Sequence, residues 1–136
     1  MSDTVISGAA VMRSADAMLR ALGGTTISVV FPLVTLADDP SAQLGLADPG
    51  VQELIFSPVV VRSVAVTDTG PRRRLEFLIS GAAVAAGVVT QNSASAEALF
   101  NSALGVNYDG VLFHIEHVTT EYFAGTAYLY KVSAVE

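Results

Sequence analysis

Between Asp109 and Ala134 the chain carries two runs of β-branched and aromatic residues, separated by a break at Phe123-Ala124-Gly125-Thr126. Two such runs around a glycine-containing break specify a β-hairpin. In the first run Val111, Phe113 and Ile115 share a face, with His114 and Glu116 opposite. In the second, Tyr128, Tyr130 and Val132 share a face, with Lys131 and Ser133 pointing away, because side chains alternate along a strand. The rest of the chain reads as built onto this hairpin.

Upstream, residues 7–22 read as an N-terminal helix, with Val11, Ala15, Met18, Leu19 and Leu22 on one apolar stripe and Gly23-Gly24 ending it. Thr25 to Phe31 reads as a strand closed by Pro32. From Leu36 to Glu53 the pattern is irregular, with turn signals at Asp38-Asp39-Pro40 and Asp48-Pro49-Gly50. A connection of this length in a small domain is usually functional or mobile, and is expected on the surface.

Leu54 to Val66 returns to strand character. Pro58 divides it into two strands or bends one edge strand. A turn at Thr67-Asp68-Thr69-Gly70-Pro71 leads to Arg72–Ser80, where Leu75, Phe77 and Ile79 alternate with Arg74, Glu76 and Leu78. These runs make a second hairpin.

Residues 81–105 form an inserted helical segment. Gly81 to Val89 has almost no side-chain bulk, which suits one or two turns packed closely on another backbone. Ala94 to Leu104 is the stronger helix, with Ser93 or Ser95 as its cap and Glu97 in its first turn. Asp109-Gly110 is the strongest short turn signal.

The pattern gives a mainly β fold, a small antiparallel β-barrel or sandwich of about six strands with an N-terminal helix and an inserted helical segment. Residues 1–136 are expected to form a single domain, with its β core in 25–80 and 106–135.

Composition narrows the function classes. Hydrophobic residues make up 51% of the chain and charged residues 15%, so a disordered chain is excluded. So few charges leave apolar surface for contacts between subunits or for a dense core. The net charge of -6 disfavours a dedicated nucleic-acid binder. With no cysteine, thiolate chemistry is out. The longest strictly apolar run, Gly81 to Val89, is well short of the roughly 20 residues of a membrane span. The N-terminus lacks the pattern of a secretory signal, so the chain reads as made and used in the cytosol or in something assembled there.

No catalytic constellation stands out. His114 and His117 are three apart, which on a regular strand puts them on opposite faces and prevents joint chelation. No metal and no cofactor is expected. Nucleophile elbows and phosphate-binding glycine loops are missing from the sequence. The one charge cluster, Arg72-Arg73-Arg74, is either a solvated hairpin tip or a contact for an acidic partner or for DNA phosphates. Tyr122, Phe123, Tyr128 and Tyr130 are core, interface or cavity-lining residues.

The run Val106-Asn107-Tyr108-Asp109-Gly110-Val111-Leu112-Phe113-His114-Ile115-Glu116-His117-Val118, followed by Phe123-Ala124-Gly125-Thr126-Ala127-Tyr128-Leu129-Tyr130-Lys131-Val132, resembles the closing strands of the small head–tail connector proteins of tailed bacteriophages, of the head-closure or stopper type. The helix inserted before it, Gln43-Leu44-Gly45-Leu46 and Phe56-Ser57-Pro58-Val59-Val60-Val61-Arg62 are also similar to that family. The N-terminal helix is less typical of the smallest stoppers and leaves room for a tail terminator or another neck protein.

The resemblance implies a non-enzymatic β-barrel subunit of the virion, in a homo-oligomeric ring between the portal–adaptor complex and the tail. Such a ring closes the DNA-filled head and docks the tail. Under that reading Arg72, Arg73, Arg74, Asp38, Asp39 and Asp48 are interface or DNA-facing candidates, and Phe123, Tyr128 and Tyr130 pack between subunits. The acidic residues of 36–53 and the arginine triplet are then complementary on adjacent subunits. The other class of reading is a small-ligand-binding barrel, with the inserted helix across one end.

Overall fold

The computed structural model describes residues 8–32, 51–64 and 72–136. The strands are β1 (Thr25–Pro32), β2 (Val51–Val64), β3 (Arg74–Ser80), β4 (Gly105–Tyr108), β5 (Val111–Phe123) and β6 (Thr126–Val135). The helices are α1 (Gly8–Ala21), α2 (Gly81–Thr90) and α3 (Ala96–Ser102). The strands close into an antiparallel barrel in the order β1-β2-β3-β6-β5-β4.

The strand count matches the expectation, but its membership differs. Pro58 does not divide β2, and β2 is not an edge. Its first half pairs with β1, Phe56 facing Ile27, and its second half pairs with β3, Val59 facing Ile79. Val59 also faces Thr25, across a register shift that leaves one extra residue in β2. Ser57 and Pro58 sit where the strand passes from one partner to the other, so an imide without an N–H is tolerated there. The sixth strand is β4, directly before the Asp109-Gly110 turn. It joins β1, through Val29 facing Val106, to β5, through Val106 facing Phe113, and so closes the barrel.

Both closing turns have two residues. Asp109 and Gly110 have φ of 54° and 75°, and Ala124 and Gly125 have 50° and 78°. Two consecutive positive φ values fit the tight turn that matches the twist of its strands.

The interior is filled. Phe31, Phe56, Phe77, Phe113, Ile27 and Ile79 are fully buried, as expected of a barrel this narrow. At one end the rings of Phe77 and Phe113 meet edge to face at 6.2 Å, with Tyr108 against Phe77 at 5.8 Å. The inserted segment closes the other end. Val84 of α2 and Leu99 and Phe100 of α3 join the strand core, with Phe100 at 6.4 Å from Phe56 and 6.0 Å from Tyr130.

Serine caps start both inserted helices. Ser80 Oγ accepts from Ala83 N at 3.2 Å, and Ser95 Oγ accepts from Ala98 N at 3.1 Å. The alanine-glycine run of α2 is longer than the one or two turns expected, and its close packing is real. A methyl group on Gly81 would lie 2.8 Å from Tyr128 Cα, and one on Gly87 would lie 2.8 Å from the Phe56 ring.

Helix α1 lies against β6, α2, β2 and β3. Its buried stripe is rotated from the one expected. Leu19 is buried, but Met18 and Leu22 are 62% and 63% exposed. Asp16 occupies the inward face instead, because its carboxylate accepts from Ser80 Oγ at 3.0 Å.

Candidate functional site: a cleft beside an unpaired strand edge

Strand β4 is too short to cover β5. It pairs only with Val111, Leu112 and Phe113, while β5 runs on to Phe123. From His114 onward β5 pairs with β6 alone. Among the described residues no backbone hydrogen bond from elsewhere reaches its other edge. The barrel wall is therefore incomplete here, and α3 stands across the gap.

A cleft of about 760 Å³ fills that gap. Phe100, Ala103, Ile115, Ala127 and Tyr130 line it from the core side, and Glu97, Asn101, His114, His117 and Tyr122 from the solvent side. At the hairpin tip Tyr122 is 67% exposed and Phe123 43%. Burial pushes the Tyr130 phenol above the ordinary tyrosine value, and the charge of Tyr122 adds to the shift.

Two bulges shape β5 and β6. Ile115 faces Ala134 and His117 faces Ser133, so Glu116 is an extra residue. A bulge inverts the alternation beyond it. His114 and His117 are therefore both exposed and both line the cleft, against the expectation of opposite faces. Among the described residues no three His, Cys, Asp or Glu side chains group as a metal site. The second bulge lies between Glu121 facing Leu129 and Tyr122 facing Ala127, with Tyr128 extra.

Ion pairs bind the strands on the outer surface. Arg62 pairs with Glu76 between β2 and β3, Arg74 with Glu116 at 2.9 Å between β3 and β5, and Lys131 with Glu121 at 3.4 Å between β6 and β5. The arginine triplet does not act as one patch. Arg73 Nε donates to Glu136 at 2.9 Å, and its guanidinium lies 5.3 Å from the centre of the Phe113 ring, a cation–π geometry. The hydrogen bond to Glu136 holds the Arg73 guanidinium pKa above its usual value. Arg74 is spent on Glu116. Within the triplet, only Arg72 is exposed and without an ion pair to a described residue.

Of the other sequence candidates, Asp38, Asp39 and Asp48 lie outside the described residues. Phe123 is exposed, Tyr128 half-buried and Tyr130 in the core against Phe100. The cleft itself was missed because it depends on the mismatch between β4 and β5. The available signal was Val106-Asn107-Tyr108 directly before a two-residue turn, the mark of a short strand. Among the described residues no helix is long and apolar enough to cross a membrane. Comparison with protein-family models, curated proteins and solved structures returns no match.

Proposed function

We propose that this chain is a structural subunit of the neck of a tailed-phage virion, assembled into a ring that closes the DNA-filled head and docks the tail. The observation that carries this reading is the β5–β6 hairpin. It outruns the barrel wall, ends on exposed Tyr122 and Phe123, and leaves one strand edge unpaired among the described residues. Exposed aromatic residues beside an open edge suit contact with another polypeptide. The resemblance of the closing strands to head-closure proteins supports the same reading, as do Met18, Leu22, Ile55 and Val89, which each expose over half of their surface. A tail terminator or another assembly protein shares all of these features.

In a ring, the net charge of -6 keeps packaged DNA from adhering to the channel. Arg72 is the member of the triplet left over for an acidic neighbour, such as the residues around Asp38, Asp39 and Asp48. Sedimentation velocity combined with electron microscopy of the purified chain tests the assembly: a closed ring of uniform copy number supports it. A second reading, a ligand-binding barrel, is favoured by the cleft volume. It expects a monomer that saturates with one small molecule.

A further inference from the structure

The unpaired edge of β5 states what it binds. From His114 to Phe123 the outward N–H and C=O groups alternate along the strand with no strand partner among the described residues. A row of alternating donors and acceptors is matched by another extended polypeptide, which adds as a strand. The cleft supplies the space. Neighbouring strands lie about 4.8 Å apart, and among the described residues the cleft extends from β5 to α3. Alternate side chains of an added strand would face Phe100 and Tyr130, and the others would face water.

Charge selects among polypeptides. Glu116 and Glu121 are each neutralised by one cation, but Glu97 on the opposite wall is exposed and has no ion pair among the described residues. Beside this carboxylate an acidic segment is repelled and a basic one attracted. We propose that β5 and this cleft bind an extended, basic segment of a partner polypeptide as an added strand. The proposal stands whether or not the chain forms rings.

The test uses a peptide of roughly nine residues alternating lysine with valine, its glutamate counterpart, and the whole chain. Binding is read by fluorescence anisotropy and by amide hydrogen exchange. The lysine peptide is expected to bind and to protect amides within 114–123. The glutamate peptide is expected to bind at least about tenfold more weakly. Glu97→Lys and Asn101→Trp change exposed α3 residues outside the core, so both variants still melt cooperatively, the first slightly lower for the loss of a first-turn acid, while the first weakens and the second blocks binding. Three results would each overturn the proposal: equal affinity for the two peptides, protection confined to other strands, or concentration-dependent protection of β5 in the chain alone. The last would identify a second copy as the occupant.

Discussion

Asp16 and Ser80 join the N-terminal helix to the barrel: Ser80 Oγ donates to Asp16 Oδ1 at 3.0 Å while accepting from Ala83 N at 3.2 Å. One fully buried hydroxyl thus caps α2 and anchors α1. Asp16 is held in place by Arg20, one helical turn on, at 3.0 Å. Ser80→Ala removes both bonds and leaves a donor without its cap, at a cost of about 1–2 kcal/mol. Asp16→Ala costs about 1 kcal/mol. Because the two share one bond, the double variant loses less than the sum, which a double-mutant cycle by urea denaturation measures.

Gly81 tests the closeness of α2 to β6. A methyl group there meets backbone, the Ala127 carbonyl and Tyr128 Cα, and backbone does not yield as a side chain does. Gly81→Ala is expected to cost about 1–3 kcal/mol despite the better helix propensity of alanine. Gly87→Ala meets the Phe56 ring and the Leu54 side chain instead, and should cost less. Thermal melts of the two variants give the order directly.

Much of this fold was readable from local signals. The helix over 7–22, the strands at 25–31 and 72–80 and the closing hairpin follow from periodicity and turn residues, and each lies within a residue or two of its place. What escaped the sequence depends on pairing. Pro58 reads as a divider or as the bend of an edge strand because a proline cannot donate, but β2 changes partners at that point and needs no donor there. His114 and His117 looked opposed because strand alternation was assumed unbroken, and the extra residue Glu116 breaks it. Arg72, Arg73 and Arg74 looked equivalent, yet only the tertiary positions of Glu136 and Glu116 decide which guanidiniums are occupied.

That difference within the triplet has a measurable consequence. Arg72→Glu alters an exposed group without an ion pair among the described residues and should change stability by no more than about 0.5 kcal/mol. Arg74→Glu sets a carboxylate against Glu116 in a half-buried position and should cost about 1 kcal/mol or more. If Arg72 contacts an acidic neighbour, Arg72→Glu weakens assembly in sedimentation while its melting curve is unchanged.

Tyr130 gives the pH dependence. Its phenol titrates higher in the folded chain than in the unfolded one, so the unfolded state releases its proton first. The contribution of the buried neutral phenol is complete below about pH 10, the unfolded value, and is lost as pH rises through the folded value. Chemical denaturation at rising alkaline pH should show this loss, and Tyr130→Phe should reduce it. Phenolate absorbance of the two proteins assigns the late-titrating group.

The most direct measurement of the neck assignment is immunogold labelling of purified particles from a phage whose genome encodes this chain. Label at the vertex where head meets tail, on both intact particles and filled heads lacking tails, is the expected result. Purified particles that carry no trace of the chain by labelling or mass spectrometry would contradict it.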